Sequence, residues 1–215
     1  MKTHDPAYIP ALNVRVLTPL YDPLSKWIMQ EERFKRRLIE QAALQPGHHI
    51  LDLGCGTGTL TIMLKQAMPG AQVVGLDGDP DVLAIARKKA EQAGVEIRFD
   101  TGLASDLLYK AETFDRVLSS LVIHHLTTAD KEKAFKEVFR ILKHGGEFHG
   151  ADFGRPKALY ARLVAHFVRH MERVDDNLKG LIPVFLMRAG FTNVSETVSF
   201  PTPFGTLTLL KACKE

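Results

Sequence analysis

Nine consecutive residues, Ile50-Leu51-Asp52-Leu53-Gly54-Cys55-Gly56-Thr57-Gly58, limit what this chain can fold into more than any other part of it. His49 to Leu53 reads as a short apolar strand, and Leu60 to Ala67 as a helix stopped by Pro69-Gly70. Between them lies a glycine loop, the setting in which bare backbone comes close to a ligand. The spacing is Gly-x-Gly-x-Gly. A dinucleotide fingerprint sets its third glycine one place later, where this chain carries Thr59. Asp52 stands immediately before the loop, and a carboxylate there repels a pyrophosphate, which prefers bare amides at a helix N-terminus. The same charge favours a ligand bearing an ammonium and a sulfonium. A nicotinamide-dependent oxidoreductase is therefore the weakest reading.

The segments that follow alternate. Ala71 to Leu76 predicts a second strand, and Asp79 is a candidate N-cap with Pro80 in the first turn of a helix running to Gly94. Val95 to Phe99 and Phe114 to Ser119 give two more strands. Thr127 or Thr128 can cap a helix whose Phe135, Val138, Phe139 and Leu142 share one face, closed by Gly145-Gly146 before a fifth strand, Glu147 to Asp152. Strands alternating with helices imply an α/β fold with a parallel sheet covered on both faces. Helices are expected over Asp22 to Leu44, over Lys157 to Arg173, and again up to Gly190. Thr192 to Ser199 and Thr206 to Lys211 then form a hairpin, so one strand must run antiparallel.

Composition narrows the classes. A chain of 215 residues with 45% hydrophobic content supports one substantial core, and a formal charge of +3 with interleaved acids and bases does not suggest a nucleic-acid partner. The densest basic run, Arg33 to Arg37, follows Glu31 and Glu32 at helical spacing and reads as a solvated helix face. Two distant cysteines, Cys55 and Cys213, fit a reducing compartment. The N-terminus lacks the apolar run of a leader, and no stretch approaches the ~18 apolar residues of a membrane helix, so the expected location is cytoplasmic. His166 and His170 have metal-ligand spacing, but Arg169 and Arg173 lie beside them and no third ligand is placed, so no metal is expected. His48 and His49 read as solvated loop residues.

The second strand ends at Asp77, where a carboxylate can accept hydrogen bonds from both hydroxyls of a ribose; the alternative is a turn residue in Asp77-Gly78-Asp79-Pro80. Taken together, Asp52 to Gly58, Asp77, Phe114-Asp115-Arg116-Val117 through His125-Leu126, and Arg140-Ile141-Leu142-Lys143-His144-Gly145-Gly146 resemble the class I S-adenosylmethionine-dependent methyltransferases. The similarity covers roughly Leu44 to Asp152. Its nearest aspect is the small-molecule branch that includes the ubiquinone and menaquinone biosynthesis methyltransferases. The resemblance implies a Rossmann-like, seven-stranded, mostly parallel sheet with an antiparallel last strand and helices on both faces. It also implies a single domain over 1–215, with an N-terminal helical cover (1–45), a cofactor-binding core (46–152), an inserted helical cover (153–190) and the terminal hairpin (191–215).

Carried over residue by residue, the resemblance gives S-adenosylmethionine as cofactor. Asp52, Gly54, Cys55, Gly56 and Gly58 would meet its methionine moiety, Asp77 and Gly78 its ribose, and Leu103 and Ala104 its adenine, with Ser119 at the end of the fourth strand and Tyr21 covering the site. Leu103 departs from the pattern. Many members carry an acid or amide there to accept from the adenine amino group, which leaves Leu103 to pack on the ring, the Ala104 amide to donate, and Asp106 as a substitute acceptor. No Asn-Pro-Pro-Tyr follows the fourth strand; Ser119-Ser120-Leu121-Val122 takes its place, which argues against amide and base N-methylation.

His124 and His125 come next, and either can serve as a base toward a phenol or hydroxyl, or else cap and pack locally. Asp152-Phe153 faces the same region by topology. Phe167, Val168, Met171, Phe185 and Met187 suit an apolar acceptor or ordinary core. The expected activity is methyl transfer to a small, apolar or aromatic molecule on oxygen or carbon. The rivals are an RNA or protein methyltransferase and a non-catalytic S-adenosylmethionine-binding sensor.

Overall fold

A computed structural model of the chain describes residues 31–157, 161 and 174–215. The first described helix, α1 (Glu31–Gln41), belongs to the helix expected over Asp22 to Leu44 but stops three residues short, at a turn where Ala43 has φ 44°; residues 22–30, with Tyr21, lie outside the described residues. The core then alternates: β1 (His49–Leu53), α2 (Thr59–Ala67), β2 (Gln72–Asp77), α3 (Pro80–Gln92), β3 (Arg98–Thr101) and β4 (Phe114–Ser120). A single 3₁₀ turn (Ile123–His125) leads to α4 (Thr128–Ile141), β5 (Leu142–Phe153), α5 (Asp175–Leu178), α6 (Ile182–Ala189), β6 (Thr192–Thr202) and β7 (Gly205–Cys213).

The strands form one seven-stranded sheet in the order β3-β2-β1-β4-β5-β7-β6. Neighbours from β3 to β5 are parallel, and β7 runs antiparallel to both β5 and β6. The tight link at Thr202↔Gly205 forces that reversal, because a hairpin this short cannot return a strand in the same direction.

Alternation along the strands sorts side chains to opposite faces. Ile50 and Leu118 join Phe34, Leu38, Leu60 and Leu64 under α1 and α2, whereas Leu51 and Val117 join Phe135, Val138 and Leu186 under α4 and α6. Burying each such side chain contributes roughly 1.5–3 kcal/mol. The expected caps are present: Asp79 accepts from the Asp81 and Val82 amides with Pro80 in the first turn of α3, and Thr127, rather than Thr128, accepts from Asp130 N. Such caps contribute about 1 kcal/mol each.

Several expectations are corrected. The third strand begins at Arg98, not Val95; Val95 and Ile97 instead pack against Leu83, Ala86 and Phe99. Gly145-Gly146 does not end the helix. α4 stops at Ile141, Leu142 opens β5, and the glycines sit in an irregular stretch where Gly145 N donates to Lys214 O (2.8 Å) and Lys214 N to Gly146 O (2.9 Å). The helix expected up to Gly190 is two, α5 and α6, separated at Gly180 (φ 69°).

The basic run is not wholly a solvated face. Arg36 and Arg37 are exposed, but Lys35 is buried against Glu31. His49 is the first residue of β1 and half-buried, with its amide donating to Asp115 Oδ2 (2.8 Å), not a loop residue. Apart from Lys157 and Ala161, the helix expected over Lys157 to Arg173 lies outside the described residues, together with His166, His170, Phe167, Val168 and Met171. Among the described residues no helix is long and apolar enough to cross a membrane.

Candidate active site

Strand order reverses between β1 and β4, and in an open α/β sheet the crevice at the carboxyl ends of such strands receives the ligand. The glycine loop stands there. Gly54, Gly56 and Gly58 all have left-handed φ (70°, 54° and 77°), a conformation costly for residues with a Cβ. The second requirement is close packing. A Cβ on Gly54 would collide with the Val122 methyls, and one on Gly58 would stand 3.0 Å from the Ala86 Cβ. At Gly56 a Cβ would meet nothing within 4 Å, so only the backbone conformation demands glycine. The amides of Gly54 and Cys55 donate to Leu76 O (2.8 and 2.9 Å), and Lys89 Nζ ties down Thr57 and Thr59 (3.0 Å each).

Two carboxylates flank the loop. Asp77, at the end of β2, accepts from Gly56 N (2.8 Å) through Oδ2 and from Asp79 N (3.0 Å) through Oδ1. The Gly56 amide is thereby used by the protein and not offered to a pyrophosphate. Burial pushes the Asp77 carboxyl above its ordinary range against the Asp79, Gly56 and Gly78 amides. Each of its oxygens keeps a further lone pair for a hydroxyl. Asp52 lies beneath the loop, 1% exposed, accepting from Thr61 Oγ1 (2.7 Å). Burial pushes its carboxyl up to about 6, opposed by the Thr61 hydrogen bond and the Lys35 charge. A desolvated carboxylate of this kind is stabilised by a cation. These two groups therefore fit a ligand with an ammonium, a sulfonium and a ribose.

The remaining residues of the expected cofactor set take different places. The Cys55 side chain packs inward with Leu83, Ala86 and Phe99, its thiol pushed up by burial, so only its backbone is available to a ligand. Leu103 is 37% exposed just beyond β3; its carbonyl accepts from Asp106 N (3.1 Å), and the neighbouring Gly102 amide donates to Asp77 O (3.0 Å). Ala104 is half-buried beside it and Asp106 is exposed. The Ser119 hydroxyl is buried and donates to Leu53 O (3.0 Å), clamping β4 to β1.

The chain after β4 is strained. Leu121 adopts φ 58°, which costs a bulky residue roughly 1–3 kcal/mol. Its amide bonds Ala151 O (2.8 Å) and the next side chain, Val122, wedges over Gly54. Ser120, one position earlier, has a buried Oγ with no hydrogen-bond partner among the described residues.

The 3₁₀ turn separates the two histidines. His124 is 4% exposed, and its Nδ1 lies 2.7 Å from Asp152 Oδ1 at the carboxyl end of β5. Asp152 also accepts from Ile123 N (2.8 Å), His124 N (3.3 Å) and Phe153 N (2.7 Å). Burial pushes this carboxyl up, but the His124 interactions and the Phe153 amide outweigh it and hold the group below its ordinary value. His125 is half-buried, its ring 4.0 Å from that of His124, and the Phe153 ring meets His124 edge-on at 5.0 Å.

Sequence reasoning missed two further residues. Lys131 is fully buried in α4 and reaches Asp176 (3.2 Å), which also accepts from Thr128 Oγ1 (2.8 Å). Burial lowers the Lys131 pKa, against the charges of Asp176 and Asp152. Beside it, Asn177 is buried and donates to Phe153 O (3.2 Å). The only signal in the sequence is a lysine on the apolar face of α4, where an amphipathic pattern calls for a hydrophobe. Among the described residues no group of three or more His, Cys, Asp or Glu side chains could hold a metal ion.

A family profile described as a methyltransferase domain matches residues 50–146. The chain is 38% identical over 168 residues to the demethylmenaquinone methyltransferase of Thermus thermophilus, covering 77% of this chain and 74% of that protein. It is 40% identical over 126 residues to an uncharacterized methyltransferase of Synechocystis, covering 59% of this chain and 57% of that one. The crystal structure of the YcgJ protein from Bacillus subtilis superposes with a TM-score of 0.71 at 19% identity, over 86% of this chain and 99% of that chain, which shows the shared fold. With its glycine loop, its two flanking carboxylates and its reversed last strand, the chain belongs to the class I S-adenosylmethionine-dependent methyltransferases, in the small-molecule branch that resembles the ubiquinone and menaquinone biosynthesis enzymes.

Proposed function

We propose that this methyltransferase acts on a small, apolar aromatic hydroxyl compound of the quinol class, methylating oxygen or a ring carbon, in the cytoplasm. The observation that carries the reading is the buried His124–Asp152 pair at the carboxyl edge of the sheet, across the strained Leu121 turn from the glycine loop. The Thermus relative's name supports the quinol class. Asp52 and the glycine loop would hold the methionine moiety, Asp77 and Gly78 the ribose, and Leu103 with the Ala104 amide the adenine. Tyr21 would cover the cofactor, and the segment 153–190 would contribute to the acceptor pocket.

Bound S-adenosylmethionine supplies a methyl group already activated by its sulfonium. The chain's own task is alignment and proton removal. Orientation of two reactants can supply several kcal/mol of barrier lowering. His124, held by Asp152, would take the proton of the acceptor hydroxyl as its oxygen receives the methyl group; for transfer to a ring carbon, the hydrogen on that carbon would then leave, restoring the aromatic ring and the hydroxyl. His125, stacked beside it, is the second candidate for that proton. A base in this role typically contributes 10²–10⁴-fold.

The test supplies methyl-labelled S-adenosylmethionine together with a reduced naphthoquinone lacking its ring methyl, and in parallel with fractionated extract from cells lacking the protein. Label in the quinol or small-molecule fraction is expected, and mass spectrometry then assigns carbon or oxygen. Label confined to RNA or protein would overturn the acceptor class. No label in any fraction, with S-adenosylhomocysteine binding intact, would point to a sensor.

A further inference from the structure

Asp152 does more than fill the end of β5. One buried carboxylate receives three backbone amides and an imidazole: Ile123 N at 2.8 Å, His124 N at 3.3 Å, Phe153 N at 2.7 Å and His124 Nδ1 at 2.7 Å. It is 3% exposed, and its side chain therefore has little freedom to turn. An ionised carboxylate only accepts hydrogen bonds, so the Nδ1 facing it must be the ring nitrogen that carries the proton. In the neutral ring, Nε2 is then the nitrogen with the basic lone pair.

We propose that Asp152 is a positioning residue for methyl transfer: it fixes His124 in the Nδ1-protonated tautomer and aims the ring, so that Nε2 is the proton acceptor. The inference rests on the acid–base reading of His124 given above. The same carboxylate builds the 3₁₀ turn on which the histidine sits, so ring and backbone are set by one group. The edge of Phe153 and the tilted His125 ring fix the imidazole plane. Lys131, fully buried, pairs with the half-buried Asp176 at 3.2 Å. When Nε2 takes the acceptor proton, the ring becomes a cation in contact with the Asp152 anion, and the pair is then neutral overall. Orientation of a base by a third group is the logic shared by nucleophile and base assemblies generally.

The experiment compares Asp152→Asn and Asp152→Glu with the unaltered enzyme. Long-range proton–nitrogen NMR of the histidine rings needs no acceptor and reads the tautomer directly. Signals assigned by loss in His124→Gln should report Nδ1–H in the unaltered protein. In Asp152→Asn they should move toward the Nε2–H form, because the amide group can donate to Nδ1. With the acceptor found above, Asp152→Asn should lower kcat roughly 100-fold or more with KM for S-adenosylmethionine within a few-fold. Asp152→Glu, which keeps the charge, should recover part of the loss.

A merely structural Asp152 predicts instead that Asn and Glu variants lose Tm and cofactor KM together, with no change of tautomer. An unaltered His124 tautomer in a folded Asp152→Asn protein overturns the proposal whatever the enzyme methylates. If the tautomer switches but no acceptor accepts label, the positioning stands and the acceptor reading fails.

Discussion

Two histidine–carboxylate pairs each draw their acid from β5, and their surroundings differ. At its carboxyl end His124 meets Asp152. Nearer its start His149, fully buried, meets Glu147 through Nε2 at 3.0 Å. His149 is saturated within the fold, since its Nδ1 faces the Gln41 amide at 3.1 Å and that amide also donates to Leu210 O (3.0 Å). Glu147 is held further by Lys211 (2.8 Å) and Arg116 (3.5 Å), and hydrogen bonding to His149, with these cations, brings its carboxyl down to about 2 despite burial. This second pair staples α1 to the middle of the sheet. A left-handed residue stands near this pair too, Ala43 (φ 44°), two positions after Gln41. Around His124, Leu121 is strained, the Ser120 hydroxyl has no hydrogen-bond partner among the described residues, and Gly54 is crowded by Val122. The difference teaches that a buried histidine–acid pair is not in itself a site. The one at the carboxyl edge of the sheet is the one we propose for the chemistry.

The comparison breaks most visibly in turnover. His124→Ala should lower kcat about 100-fold or more, measured as initial rates with saturating S-adenosylmethionine, while a folded His149→Gln protein should stay within a few-fold of the unaltered enzyme. Stability should show the reverse pattern. His149→Leu leaves Glu147 and Gln41 short of a partner and should cost about 2–4 kcal/mol in denaturant unfolding; a cost below 0.5 kcal/mol would deny it the stapling role.

Acid should find the staple as well. Burial holds the folded His149 pKa below its ordinary 6.5, so the unfolded chain takes up that proton more readily. The stability gained from a neutral His149 is present above about 6.5 and is lost as pH falls from there toward the lowered folded value. Glu147, at about 2 when folded against 4.5, contributes stability above 4.5 that is lost between 4.5 and 2. Thermal unfolding followed against pH should show both losses, opposed by Asp52, whose raised pKa adds stability as that group protonates; His149→Gln should remove the upper loss and, by taking the imidazole from Glu147, reduce the lower one.

A smaller effect sharpens the contrast between fold and site at Asp52. Its raised pKa of about 6 means that its charge at neutral pH costs the empty fold stability. Asp52→Asn should raise Tm by a few degrees while weakening S-adenosylhomocysteine binding roughly tenfold, a trade expected where a site is held at the expense of the fold. The smallest change is expected at the exposed Arg36–Glu32 pair, where Arg36→Ala should alter stability by no more than about 0.5 kcal/mol.

Local chemistry was legible in the sequence, and distant pairing was not. The glycine loop, the Asp79-Pro80 cap, a threonine cap at Thr127 or Thr128 and the terminal hairpin each follow from residues within a few positions of one another, and each is present in the fold, the cap at Thr127. The strand limits were less readable, because β5 absorbs Leu142 to Gly146 through an irregularity that only the Lys214 backbone explains. His124 and Asp152 are 28 positions apart, and no spacing rule joins them; the parallel register of β4 and β5 does. Lys35 and Lys131 sit at charged positions whose burial depends on a partner, Glu31 four residues earlier for one and Asp176 in α5 for the other. The first was within reach of helical spacing and the second was not.

The most direct test of the account is calorimetric titration of S-adenosylhomocysteine into the unaltered protein, Asp77→Ala and His149→Gln. If the carboxyl edge around the glycine loop holds the cofactor, Asp77→Ala should weaken binding by roughly tenfold or more, in line with about 1.5–3 kcal/mol for hydrogen bonds to a charged group, and His149→Gln should bind as the unaltered protein does. Equal affinity in Asp77→Ala and the unaltered protein would contradict the ribose assignment and, with it, the placement of the cofactor.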